Sequence, residues 1–498
     1  MKTAIDKDAA MLKNEGLILD HSIIGFASFV NLTATLKQCG VKGACGYAAH
    51  MIFLTIFILP FVMGNIYSEV VINNARIVSK DAVYDFLKQT GANWRNFLIA
   101  ISSTAIAFCN SLTNKGRERV IAIDDTPFKK DRSKSVELLS KCWDHCDAKH
   151  FKGFRLLNCV WTDGFSIIPI CFSLLASILP SKRYHEATKN VDPRSNAAKR
   201  RLEAVQGAPK VVVLLSEIIF KIFRQFFDAV TFDSWFAINS IIFGISKYAP
   251  VVCMVKKNCQ LMFKFSGVLG SIDAVYRNLK NRRRGQSQII GSTIAELVYK
   301  HDGLVELLKC KIVFVRSKIN GDWIPILSTN IKFDDEKIIR LYGLRWNIEV
   351  FHKDIKQFLS LERGSQSRDF DALTAYVTVV FVRYIYLALK QRLESDDRKM
   401  GIGTLFYACY HEIKQITSED AMLRADKDAC QMLLASKAAC FTASGKCAFT
   451  IDQIQDAMAY AAQDSLSGIK NALQALLARQ KDIDNLRTTF IARLKAVA

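Results

Sequence analysis

Glu349 lies in the segment Arg340 to Lys356, RLYGLRWNIEVFHKDIK. On a single helix of about 100° per residue, Tyr342, Arg345, Lys353 and Lys356 stand at offsets of −7, −4, +4 and +7 from it, within about 40° of one line. Acid, bases and phenol then share a face, while Leu344, Ile348, Phe351, Ile355 and Phe358 gather opposite and pack onto a core. A solvated helix with i,i+4 ion pairs looks the same. Two further acidic sites end apolar runs: Asp124-Asp125 closes Arg119–Asp125 (RVIAIDD), and Asp233 closes Ala229–Asp233. Carboxylates at strand tips and on a helix face are hard oxygen donors, the ligand type that Mg2+ prefers. Arginine beside them suits phosphate oxygens bidentately, and lysine suits them as a point charge.

For such acids to meet, strands must precede the Glu349 helix. Arg119–Asp125, Phe154–Trp161 and Ser166–Leu174 read as strands, the last two joined by the turn Thr162-Asp163-Gly164, and predict a three-stranded antiparallel unit. Asn196–Phe223 reads as a helix with Leu202, Val205, Val212, Leu215, Ile219 and Phe223 on its buried face, followed by the strand Ala229–Asp233. Three strands, a helix and a parallel strand with acids at the tips is the order of a ribonuclease-H-like core, an α/β fold. Between Ser246 and Ile331 the runs Val251–Val255, Lys311–Val315 and Trp323–Leu327 surround the basic stretch Arg282-Arg283-Arg284-Gly285, which predicts a β-rich insertion. The expected division is a helical N-terminal DNA-binding domain (1–115), the first part of the core (116–245), the insertion (246–331), the remainder of the core (332–395) and a helical C-terminal domain (396–498).

A net charge of +21 favours a polyanionic partner, either nucleic acid or an anionic membrane surface. From Gly43 to Ser68 no Lys, Arg, Asp or Glu occurs, and Met51–Leu59 is almost wholly apolar. That dense stretch is shorter than the ~20 residues a span needs and is broken by Pro60, so a buried core helix is expected and no membrane partner. The 14 cysteines are scattered and no secretory signal precedes them, which fits a reducing, cytoplasmic setting. Cys142 and Cys146, with Asp144, His145 and His150 nearby, match no standard zinc spacing.

Tyr342, Arg345, Glu349 and Lys356 reproduce Y-x2-R-x3-E-x6-K, and the chain thereby resembles the insertion sequence four (IS-four) family of DDE transposases. The family places its first metal-binding aspartate at a strand end before threonine, as in Ile123-Asp124-Asp125-Thr126, where Asp125 is the matching position. Asp124 is the alternative, because adjacent strand residues point to opposite faces. The second aspartate matches Asp233, within Phe232-Asp233-Ser234-Trp235-Phe236. Asp144-His145, Lys152-Gly153-Phe154-Arg155, Trp161 to Gly164 and Gln366-Ser367-Arg368 are also similar to the family, so the resemblance covers roughly residues 80 to 390.

This resemblance implies two Mg2+ (or Mn2+) ions, with Asp125 bridging them, Asp233 holding one and Glu349 the other; two ions about 3.5 to 4 Å apart activate an attacking oxygen and stabilise a leaving one. It implies phosphate contacts from Tyr342, Arg345, Lys353, Lys356 and Arg368, and non-specific DNA affinity from Arg282, Arg283 and Arg284. Trp323 is a candidate for stacking on a flipped base, against the alternative of a core tryptophan. The implied function is cut-and-paste transposition on double-stranded DNA by a homodimer bound to terminal inverted repeats, with the protein associated with the nucleoid. A domesticated transposase that keeps DNA affinity without catalysis is the rival reading, which the presence of all three acids disfavours.

Overall fold

The computed structural model describes residues 23–62, 66 and 78–411, apart from 115, 146, 189–190, 258, 280–281, 283–286, 318–321, 365 and 394–399. The chain divides into two compact units, Met1–Phe406 and Tyr407–Ala498. Beyond His411 the second unit, and with it most of the expected C-terminal domain, lies outside the described residues.

Val120 to Ile123 are apolar on both faces and fully buried, which suits an inner strand. They open β1 (Val120–Lys129) of a mixed sheet. The hairpin expected after it forms as β3 (Lys149–Thr162) and β4 (Ile167–Leu175), with a further strand, β2 (Ser140–Asp144), paired to the start of β3. In the hairpin turn, Gly164 takes φ 88°, and the buried Asp163 carboxylate accepts from the backbone N–H groups of Phe165 and Ser166. On its other edge β1 runs parallel to β5 (Ala229–Phe232), and β5 runs parallel to β6 (Val251–Met254). The order β4-β3-β1-β5-β6, antiparallel then parallel, is consistent with a ribonuclease-H-like transposase core.

The sheet continues past β6. β11 (Trp323–Ser328) pairs with β6, then come β10 (Leu304–Arg316), β9 (Ile289–His301), β7 (Met262–Phe265) and β8 (Val268–Gly270). The expected insertion, 246–331, thus contains β6, which pairs with β5 as an inner strand of the same sheet. Its fully buried Val251, Val252 and Cys253 have the double-sided apolar character of that position.

Ahead of β1 stand α1 (Ile23–Phe29), α2 (Leu32–Gln38), α3 (Ala49–Ile58), α4 (Lys80–Leu87) and α5 (Trp94–Ser111). α3 buries Ile52, Phe53, Ile56 and Phe57, as expected of a core helix. The expected single helix over 196–223 is two, α6 (Asn196–Ala204) and α7 (Ala208–Phe223). Pro209 lies in the first turn of α7, where a missing N–H is tolerated; further inside a helix it would break the ladder. α8 (Asn239–Ser246) and α9 (Ile272–Arg277) lie between strands, and α10 (Asp335–Gly343), α11 (Trp346–Gln357) and α12 (Phe370–Leu393) follow β11.

α12 is buried on every side, and among the described residues it is the helix long and apolar enough to cross a membrane. Inside it, Arg383 is fully buried; its guanidinium donates to the carbonyls of Ile56, Phe57 and Leu359, so the last turn of α3 supplies acceptors for an arginine that has no carboxylate bonded to it among the described residues.

Candidate active site

The parallel register of β1 and β5 pairs Ile123 with Phe232, so Asp124 inside β1 and Asp233 just past the end of β5 come next on adjacent chains of the sheet. Asp233 begins a tight turn in which its carboxylate accepts from the backbone N–H of Trp235 at 2.6 Å. Asp124 is paired across the sheet with Asn158 on β3, and directly paired residues project to the same face. Asn158 Nδ2 donates to His352 Nε2 of α11 at 2.7 Å. Asp124 therefore shares the face covered by the Glu349 helix. Burial, joined by the charges of Asp125 and Asp233, pushes the Asp124 carboxyl up to about 8, while Arg345 acts in the opposite direction.

Asp125 points the other way. Arg155 holds it with both nitrogens of its fork, Nη2 to Oδ1 at 2.7 Å and Nε to Oδ2. Of the two adjacent aspartates, the structure brings Asp124 together with Asp233 and places Asp125 in an ion pair on the opposite face. The expectation for Asp125 followed the family register; pleat alternation and the packing of α11 favour its neighbour.

The segment around Glu349 is not one helix. Gly343 ends α10, Leu344 N donates to Arg340 O and Arg345 N to Tyr342 O, and α11 starts at Trp346. Glycine's poor helix propensity explains the break. α10 is anchored by Ile338 and Leu341 against Val120, Ala229, Val252 and Val313. α11 is anchored by the fully buried Ile348, Phe351 and Ile355, each contributing about 1.5–3 kcal/mol of apolar burial. Across the break the residues still meet: the Arg345 guanidinium lies 5.8 Å from the centre of the Tyr342 ring and pairs with Glu349 at 2.7 Å. Burial raises the Tyr342 hydroxyl, which also feels Asp233. Lys353 is exposed, and Lys356, half-buried, adds to the burial that pushes His352 down to about 3.

A family model described as archaeal putative transposase ISC1217 matches residues 193–393. The match supports a DDE-type transposase. It includes Asp233, Tyr342, Arg345, Glu349 and Lys356, and it begins after β1 with its two candidate aspartates. No curated protein matches the chain.

DDE transposases generally act through divalent metal ions. As the side chains stand, no group of three His, Cys, Asp or Glu among the described residues is close enough to hold one. The carboxylate pair nevertheless fits a cation in its chemistry: Asp124 is half-buried beside the like charges of Asp125 and Asp233, which outweigh the pull of Arg345, and its oxygens are hard donors. Glu349 is turned to Arg345, which supplies the positive charge there.

The remaining expected DNA contacts lie apart from this pair. Trp323, half-buried, is stacked on Tyr276 at 4.3 Å and flanked edge-on by Phe314, with the Lys257 ammonium 4.3 Å from its ring centre. Arg282 lies over Tyr276 and donates to the carbonyls of Tyr276 and Arg277 at the end of α9. Arg283 and Arg284 lie outside the described residues. Arg368 lines an open cavity of about 600 Å³ with Tyr84, Lys88 and His185. Sequence reasoning missed Asn158 and His352; a polar residue inside a strand and a histidine three positions after Glu349 are the signals that mark them.

Proposed function

We propose that this chain is the transposase of an insertion sequence, of the IS-four YREK type, which binds terminal inverted repeats and cuts and rejoins DNA by a cut-and-paste route. The observation that carries the proposal is the adjacency of Asp124 and Asp233 on the sheet face covered by the Glu349 helix. Asp124, Asp233 and Glu349 are the three carboxylates that would hold Mg2+ or Mn2+. Bound there, two such ions would activate the attacking water or 3′-hydroxyl and stabilise the leaving oxygen.

The chain's own residues do the rest. Arg345 has a planar fork suited to one DNA phosphate, and its pairing with Glu349 orients that acid before DNA arrives. Tyr342, beside Arg345 and Asp233, offers its hydroxyl to the same backbone. Lys353 and Lys356, one and two turns further along α11, extend the positive face along the strand. Asn158 is hydrogen-bonded to His352, which burial keeps neutral, and so ties α11 to β3. Synapsis of two transposon ends requires at least a dimer on DNA, in the cytoplasm where the nucleoid lies.

Incubating the purified protein with its own element's end DNA and Mg2+ tests the reading: wild type produces cuts at the ends, and Glu349→Gln does not. Equal nicking by the variant would refute the assignment.

A further inference from the structure

Trp235, two residues past Asp233, leaves 46% of its surface exposed. Three basic or titratable side chains from separate parts of the sheet surround its ring. The Arg155 guanidinium of β3 lies 5.5 Å from the ring centre, the Lys256 ammonium just after β6 lies 5.0 Å from it, and the His145 ring after β2 is 4.6 Å away. Arg155 is held in place by its two-nitrogen grip on Asp125. The ring is tied to the acidic pair through its own backbone, whose N–H donates to the Asp233 carboxylate.

A half-exposed indole among cations combines the two components of single-strand recognition: a flat π surface for a base and positive charge for the flanking phosphates. We propose that Trp235 stacks an unpaired nucleobase of the DNA strand at Asp233, with Arg155 and Lys256 neutralising the adjoining phosphates. The role of Asp125 is then to position Arg155. This inference rests on the transposase reading, because it takes DNA as the ligand of the same site.

The test uses the full chain in EDTA, where no cutting occurs, with two probes: a paired duplex, and the same duplex bearing a single-stranded overhang that contains 2-aminopurine. Wild type is expected to prefer the overhang and to quench 2-aminopurine. Trp235→Ala is expected to lose the quenching and about tenfold in overhang affinity while holding duplex affinity within about twofold. Trp235→Phe, which keeps a ring, should retain most of the quenching and keeps the test valid if the alanine variant does not fold. Equal quenching and equal overhang affinity in wild type and Trp235→Ala overturn the stacking role, as does duplex binding by wild type without quenching. If wild type binds neither probe, the transposase reading falls along with it.

Discussion

Asn158 of β3 donates a 2.7 Å hydrogen bond to His352 of α11, and both side chains are buried. Burial, with Lys356 adding to it, pushes His352 down to about 3 from 6.5, so the folded protein binds its proton more weakly than the unfolded chain. A depressed base contributes stability that is whole above pH 6.5 and is lost as pH falls from there toward 3. Urea unfolding at pH values between these limits should show wild type losing stability on the order of 1 kcal/mol per pH unit. His352→Gln should have a shallower slope, and parallel slopes for the two proteins would contradict the neutral, buried histidine.

Asp124 and Asp125 should separate functionally. Asp124→Asn is expected to remove metal-dependent cleavage, because the substituted group lies beside Asp233 on the face of α11. Asp125→Asn should keep cleavage within about tenfold and lose about 1–3 kcal/mol of stability through its broken pair with Arg155. Side-by-side cleavage assays decide the matter, and the reverse ranking would return the ligand role to Asp125.

Divalent ions should stabilise the folded protein through the acidic pair. At a Mg2+ or Mn2+ concentration about 100 times its Kd, the gain is about 2.7 kcal/mol, reversed by EDTA. Thermal unfolding of Asp233→Asn should be indifferent to the ion. A shift as large in that variant as in wild type would place the ion elsewhere.

Arg383 should resist conservative replacement. Its planar fork reaches three backbone carbonyls and the Tyr376 hydroxyl at once, which one ammonium on a flexible stem does not reproduce. Arg383→Ala removes the shared donor from those buried acceptors and leaves a cavity, at a cost of about 3–5 kcal/mol. Arg383→Lys should recover only a minority of that loss in denaturant midpoints.

Strands were legible wherever burial on both faces left a continuous apolar run: Val120–Ile123 and Ala229–Phe232 appear where the pattern put them. The Asp302-Gly303 turn, with φ 47° and 76°, joins β9 to β10 with the residue types of a tight hairpin, a signal that went unread. The helix breaks at Gly343 and before Pro209 were signalled by residue type, but an unbroken apolar face masked them. The choice between Asp124 and Asp125 was not legible. Pleat alternation says only that the two differ; which side matters depends on where α11 docks, more than 200 residues later in the chain.

α12 packs against α3, α4, α5 and β4 together, and at 24 residues it runs about 36 Å through the unit. The helices before β1 and the sheet after it are thus sides of one interior. A protein begun at residue 116 would leave α12 with a raw apolar flank and Arg383 without the carbonyls of Ile56 and Phe57. Constructing a minimal nuclease by trimming from the front would therefore yield an aggregating fragment, and any evolutionary exchange of the N-terminal helices had to carry a matching α12 with it.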